Sequence, residues 1–212
     1  MKAHPRRELL FALAALAALG PVVPAAGAER VLTLDPAASR VEFSVPATGH
    51  AVHGAFALRS GTVRFDPVSG QAGGEIVVDA RGAKTGNASR DRTMHQKVLE
   101  SSRFPRFELR PERLEGELAG AGTSQVRLVG TLVLHGAEHP LTLPATVKVD
   151  GDRVEADGSF PVPYAAWGLH NPSLLFLRVA DVVEVTVHVA GRLEDAREPR
   201  SAARSASSEV RP

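Results

Sequence analysis

Apolar and polar residues alternate with a period of two along most of this 212-residue chain. The clearest example is segment 40–45, in which Val41, Phe43 and Val45 occupy one face and polar side chains the other. Such alternation is typical of antiparallel strands with one face packed and one face in water. The same pattern predicts further strands at 53–58, 62–66, 75–79, 107–109, 125–134, 141–149, 154–162 and 183–189.

Turn-forming residues separate these segments, notably at 66–70, 120–122, 135–136 and 150–152. Short strands at such regular spacing predict an all-β antiparallel barrel or sandwich of about eight strands. Pro140 and Pro144 lie within one of the segments. Because proline has no amide donor, that strand is predicted to be an edge strand or to be bulged.

Residues 87–100 break the alternation and predict a single inserted α-helix. Asn87 is a suitable N-cap, and Met94, Val98 and Leu99 follow at helical spacing. Asp91 and His95 are four residues apart, so they share one face of this helix. They form either a surface pair or, with Arg90 beside them, an acid–imidazole group that faces a ligand; both interpretations stay open here.

The two ends of the chain differ in composition from its middle. Residues 1–28 combine a basic start, the apolar run 9–19 and a small-residue pattern at 26–28, which together predict a cleavable signal peptide. Residues 195–212 carry almost no large apolar side chains and predict a disordered tail. The folded domain is therefore expected at 29–194, and the mature protein is expected to be periplasmic or secreted.

Several function classes are disfavoured by composition and by the lack of motifs. The chain has no cysteine, which excludes disulfides, thiolate metal sites and a cysteine nucleophile. Its 25 basic and 24 acidic residues give no bias toward nucleic acid. Neither a Gly-x-Ser-x-Gly turn nor a phosphate-binding glycine loop is present. The pairs His50/His53 and His135/His139 lack a third ligand at suitable spacing, so no metal site and no catalytic residue is predicted.

Some predicted strands are apolar on both faces. Val129 and Val133 lie opposite Leu128, Leu132 and Leu134, and segment 174–177 is apolar throughout. Two explanations remain open at this point. A helix or loop covers the second face, or that face borders a cavity.

Taken in order, several segments resemble the YceI-like family of exported, lipocalin-like proteins that bind polyisoprenoids and related lipids. The most specific part is Thr85 to Asp91 with His95, followed by 104–107. The other matching segments are 34–45, 54–56, 61–67, 130–136 and 141–144. The resemblance implies a lipocalin-like antiparallel β-barrel of about eight strands around an apolar tunnel, which is wide enough for one small ligand.

On this resemblance we expect a carrier that binds a polyisoprenoid, an isoprenoid quinone or a fatty acyl lipid without covalent chemistry. We expect that ligand to be its only bound group, with no other cofactor. The carrier would contact a membrane transiently during exchange and would not bind nucleic acid. A homodimer is possible on this view. Arg90, Asp91 and His95 are the predicted head-group contacts. The predicted lining, for which core packing is the alternative, is Val41, Phe43, Val52, Phe56, Val63, Phe65, Met94, Val98, Leu132, Leu134, Trp167 and Phe176.

Two other functions compete with the carrier. One is an enzyme that acts on a lipid or isoprenoid in the barrel through Asp91, His95 and Arg90. The other is a barrel with a solid core that serves as an interaction module. The two barrel-binding functions need a hollow interior, whereas the interaction module does not.

Overall fold

A computed structural model of the protein describes residues 28–173 and 178–196. These residues form nine strands, one short helix and a π-helical turn, and all the strand pairs are antiparallel. The strands are β1 (Arg30–Leu34), β2 (Arg40–Ala47), β3 (His50–Phe65), β4 (Ala72–Lys84), β5 (Arg106–Glu115), β6 (Gly122–Leu134), β7 (Ala137–Asp150), β8 (Arg153–Val162) and β9 (Val183–Asp195). The helix α1 is Ala88–Thr93, and the π-helical turn is Met94–Val98.

Strands β2 to β9 close into an eight-stranded barrel, because β2 pairs with both β3 and β9. Strand β1 also pairs with β3 and β9, but nearer to the other end of both. Thus β1 and β2 lie end to end and share one position in the wall. The predicted all-β barrel with one inserted helix is confirmed, and the sandwich alternative is excluded.

The predicted strands 53–58 and 62–66 are one strand, the 16-residue β3. The register of β3 against β4 shifts between Ala55 and Ala57 and again between Leu58 and Ser60. Bulges of this kind insert an unpaired residue and disrupt the two-residue period. The predicted break between the two segments is therefore wrong, because the alternation stops where the strand continues.

Strand β7 is not an edge strand, since it lies between β6 and β8 with unbroken register against β6. Its ladder with β8, however, starts only at Ala145, opposite Gly158. Residues 137–144 thus have no partner on the β8 side, and Pro140 and Pro144 both lie there. The prediction that β7 is an edge strand is therefore wrong. The two prolines nevertheless lie in the unpaired stretch 137–144, which we call the seam between β7 and β8.

The two ends of the barrel differ. At one, the closed end, the short turns 66–71 and 151–152 lie beside a cluster of buried apolar side chains. That cluster consists of Val63, Phe65, Val126, Val147, Val149, Val154 and Leu193. At the other, the helical end, segments 85–105 and 163–173 connect the strands and cover the opening. The barrel therefore has one end with short turns and a buried apolar cluster, and one end covered by irregular segments.

Most of the predicted signal peptide, the predicted tail from residue 197 onward and the apolar segment 174–177 lie outside the described residues. Strand β9 continues to Asp195, whose carboxylate accepts a hydrogen bond from Nε of Arg30 at 3.2 Å. In the described ranges 28–173 and 178–196, no helix is long and apolar enough to cross a membrane.

Candidate functional site

The interior of the barrel is hollow and forms two adjoining compartments. The larger, at the helical end, has a volume of about 580 Å³, and the smaller, toward the closed end, about 170 Å³. Packed protein cores contain few voids larger than a water molecule, whereas ligand pockets reach several hundred Å³. The compartments adjoin at residues that line both, namely Val41, Val78, Phe107, Leu132, Phe160 and Val185.

The smaller compartment is apolar. Its walls come from side chains such as Leu32, Phe65 and Val154. Asp157 also borders it, but the carboxylate of Asp157 is largely exposed and lies 2.7 Å from Nδ1 of His188. A polar group buried in this compartment would lose its hydrogen bonds to water without replacement. The compartment therefore favours hydrocarbon.

The larger compartment has apolar walls and a polar rim at the helical end. The rim is formed by His50, Thr85, Asn87, Ser89, Arg90 and Thr93. None of the described residues that line this compartment is an aspartate or a glutamate. An amphipathic ligand would thus place its hydrocarbon toward the closed end and its polar end at the rim.

Asn87 starts helix α1 at this rim, as predicted. Its side-chain oxygen accepts hydrogen bonds from the backbone amides of Ser89 and Arg90, both at 3.0 Å. After Thr93 the α-helix widens into the π-helical turn, and the amide of Leu99 donates to the carbonyl of Met94 at 2.8 Å. Met94, Val98 and Leu99 all line the larger compartment, so this segment forms part of its cover.

Arg90 lines the larger compartment, and Thr85 orients its guanidinium. Nε donates to the Thr85 hydroxyl at 2.8 Å, and Nη2 donates to the Thr85 carbonyl at 2.9 Å. The same hydroxyl donates to the carboxylate of Asp91. This hydrogen bond from Thr85 holds the pKa of Asp91 below its usual range. Asp91 itself lines neither compartment.

His95 is fixed by two hydrogen bonds within the protein. Nε2 lies 2.9 Å from the backbone carbonyl of Ala83, and Nδ1 lies 2.9 Å from the hydroxyl of Ser101. Because a carbonyl only accepts, Nε2 carries the proton. His95 therefore ties the helical segment to β4 and lines neither compartment. Asp91 and His95 do not bond to each other, and of the three predicted head-group residues only Arg90 borders the cavity.

Ten of the predicted lining residues border the cavity. Trp167 does not, and Phe176 lies outside the described residues. Those in the larger compartment are Val41, Phe43, Val52, Phe56, Met94, Val98, Leu132 and Leu134, and Val63 and Phe65 border the smaller one. Among the lining residues that sequence reasoning missed are Tyr164, Leu169 and Val185. The alternation of segment 183–189 is a signal that could have identified Val185, but Tyr164 and Leu169 lie in a segment without any periodic signal.

Segment 163–173 covers the seam between β7 and β8. Tyr164 and Leu169 are buried there, and the amide of Leu169 donates to the carbonyl of Tyr164 at 3.0 Å. Trp167 stacks on His139 of β7. Burial lowers the pKa of His139, while burial and the nearby Asp181 raise the pKa of Tyr164 to about 12. Both pKa shifts favour the uncharged side chain, so His139 and Tyr164 cover the seam in their neutral forms.

Within the part of the chain that the structure describes, no three His, Asp or Glu side chains come together to hold a metal ion. The cavity, rather than an ion site, is the candidate functional site.

A family model described as the YceI-like domain matches residues 32–191. Among solved structures, BcnA of Burkholderia cenocepacia is 21% identical, with a TM-score of 0.61 over 74% of this chain and 98% of that one. A polyisoprenoid-binding domain from Saccharophagus degradans, implicated in plant cell wall breakdown, is 18% identical, with a TM-score of 0.62 over 76% and 97%. A YceI protein of Campylobacter jejuni is 17% identical, with a TM-score of 0.52 over 66% and 84%. No curated protein matches the chain.

Proposed function

The chain belongs to the family of YceI-like domains, and we propose that it is a carrier that holds one long hydrocarbon chain inside its barrel. The ligand class is a polyisoprenoid, an isoprenoid quinone or a fatty acyl lipid. The observation that carries this proposal is the pair of adjoining apolar compartments of about 580 and 170 Å³. The polyisoprenoid-binding domain of Saccharophagus degradans, which has the same fold, supports the same ligand class.

The apolar lining sets a lower limit on ligand length. Each buried methylene contributes about 0.8 kcal/mol, whereas association costs on the order of 4–15 kcal/mol. A chain with roughly a dozen or more buried carbons is needed before the gain exceeds that cost. Short metabolites would therefore bind weakly, and long chains would fill both compartments.

The carrier performs no covalent chemistry in this proposal. Asp91 and His95, the pair that the sequence placed best for acid–base chemistry, line neither compartment. Both ring nitrogens of His95 are bonded to protein groups, and the Asp91 carboxylate accepts from Thr85. These contacts support a role for the pair in holding the helical segment, and the enzyme alternative gains no support from them.

The carrier is exported in this proposal, and it exchanges its ligand at a membrane surface. The support is the signal-peptide pattern in residues 1–28, with removal expected after Ala28. The intact mass of the protein recovered outside the cytoplasm tests this step. A mature chain that begins at Glu29 is expected, and a recovered chain that retains Met1 would contradict it.

Titration with alcohols of increasing chain length tests the ligand class. Geraniol, farnesol and geranylgeraniol would be added to protein freed of bound lipid by solvent extraction. Affinity is expected to rise with each added prenyl unit, because each unit buries more methylene and methyl groups. Affinity that does not change with chain length, or no binding of geranylgeraniol, would contradict the carrier.

A further inference from the structure

We propose that the ligand carries one anionic head group, a phosphate or a carboxylate, which Arg90 binds at the rim of the larger compartment. This inference rests on the proposed function and names the polar end of the same ligand.

Thr85 occupies one edge of the Arg90 guanidinium. Nε and one hydrogen of Nη2 donate to the hydroxyl and the carbonyl of Thr85. A guanidinium has five N–H donors, so Nη1 and the second hydrogen of Nη2 keep three. No described protein group accepts from those three. The outer edge, formed by Nη1 and Nη2, matches the spacing of two oxygens in a carboxylate or a phosphate.

The charge of Arg90 has no direct counter-ion among the described residues. None of the ion pairs in the described ranges includes Arg90. The Thr85 hydroxyl bonds both to Arg90 and to the carboxylate of Asp91. It therefore lies between these two charged groups. Arg90 is half-buried. Its attraction for a bound anion is therefore stronger than that of a fully exposed arginine, because less water screens the two charges.

The polar neighbours of Arg90 in the lining carry no negative charge. Asn87, Ser89 and Thr93 contribute an amide and two hydroxyls, and no aspartate or glutamate is among the described lining residues. A cationic head group would meet Arg90 without any compensating carboxylate. A neutral head group would leave the three N–H donors without a charged acceptor. An anionic head group satisfies both conditions.

Matched ligands test the inference without any mutation. Geranylgeranyl phosphate and geranylgeraniol share one hydrocarbon chain and differ only in the head group. Affinities are measured by titration below the concentrations at which either compound aggregates. The phosphate is expected to bind at least about tenfold more tightly, because hydrogen bonds to charged groups are the stronger class. Equal affinity would overturn the inference and leave the carrier intact, whereas no binding of either compound would overturn the carrier.

Variants of two arginines on the same helix locate the contact. Arg90→Gln is expected to remove the preference for the phosphate, so that the ratio of the two affinities, geranylgeranyl phosphate to geranylgeraniol, falls to about one. Arg92→Gln is the matched control, since Arg92 is exposed and lines neither compartment. Arg90→Lys keeps the charge but not the planar fork, and it is expected to retain only part of the preference. A preference that survives Arg90→Gln would overturn the assignment; if Arg90→Gln fails to fold, Arg90→Lys gives the same test.

Inorganic phosphate distinguishes a lipid head group from a free anion. The site is expected to bind inorganic phosphate weakly and to prefer the phosphate that is attached to a prenyl chain. Inorganic phosphate should therefore compete with geranylgeranyl phosphate only at high concentration, and should not compete with geranylgeraniol. Competition as strong as that of the prenyl phosphate itself would show that the site takes free anions, and would overturn its assignment to the ligand head.

Discussion

The indole ring of Trp167 lies parallel to the imidazole ring of His139, with ring centroids 4.1 Å apart and an interplanar angle of 6°. The pair lies where β7 has no partner on the β8 side and where Pro140 and Pro144 supply no amide donors. Segment 163–173 therefore takes the place of missing strand pairing. Trp167, expected from sequence in the cavity lining, instead covers the wall.

The contact between His139 and Trp167 should make the stability of the protein sensitive to acid. Burial lowers the pKa of His139 from an ordinary value of 6.5. A lowered pKa favours the neutral ring in the folded state, so this contribution to stability is complete above 6.5 and is lost as pH falls below it. His139→Phe keeps a ring for the stack but removes the titration. The urea midpoint of His139→Phe is expected to fall less than that of the wild type between about pH 7.5 and about pH 5.

An exposed histidine provides the control for that comparison. His53 lies on β3 with its side chain in solvent. His53→Phe should leave the difference between the two pH values close to that of the wild type. Equal losses of stability in wild type and His139→Phe would contradict the role of His139.

Blocking the junction of the two compartments should weaken the binding of long chains. Val185 lines both compartments, so Val185→Trp places a large ring where the hydrocarbon would pass. Geranylgeraniol affinity is expected to fall at least about tenfold, because the smaller compartment's share of the buried chain is lost. Thr186→Trp is the matched control, since adjacent strand residues point to opposite faces. If both variants bind like the wild type, the hydrocarbon does not cross this junction.

Gly54 is predicted to be intolerant of a side chain. A Cβ at this position would lie 2.7 Å from the carbonyl oxygen of Lys84 and would overlap the ring of Phe43, which lines the cavity. Gly54→Ala is expected to lower the free energy of unfolding by about 1–3 kcal/mol, as overpacking does. Gly73→Ala, where a Cβ meets nothing within 4 Å, is the control. Equal stabilities of the two variants in urea titrations would show that the Phe43 ring and Lys84 backbone relax freely.

Asp91 should stabilise the fold only while its carboxylate is charged. The hydrogen bond from the Thr85 hydroxyl lowers the pKa of Asp91 below the ordinary 3.8. Its contribution is therefore complete above that value and is lost as pH falls through the folded-state pKa. Asp91→Asn is expected to flatten the loss of stability in this acidic range, as measured by thermal unfolding. Asp150→Asn, at the exposed end of β7, is the control. Identical acid profiles for Asp91→Asn and wild type would refute this role.

Residue patterns predicted the barrel because its inner face follows a two-residue period along most of its strands. Val41 and Phe43 were assigned to the inner face for that reason, and the dipeptide His135-Gly136 forms a turn with positive φ of 53° and 80°. Alternation indicates which side chains face inward, but not how far apart opposite walls lie. Alternation alone therefore could not show that the interior is hollow. The family resemblance implied a tunnel, and the structure shows the cavity.

Other features could not be predicted because their partners are distant in sequence. The spacing of Asp91 and His95 suggested one shared face, but Thr85, Ala83 and Ser101 engage them instead. Strand β1 is only five residues long, which is too short for a reliable period, and it is defined by pairing with β3 and β9. These contacts depend on how the barrel closes, which local patterns do not encode.

Native mass spectrometry of the protein, purified without detergent from the cells that produce it, tests the central claim most directly. We expect a non-covalent adduct with the mass of one long-chain lipid. Solvent extraction should remove it, and added geranylgeranyl phosphate should give a new adduct in its place. A protein that carries no adduct as purified, and that takes up no prenyl chain afterwards, would contradict the claim that this cavity exists to hold a hydrocarbon ligand.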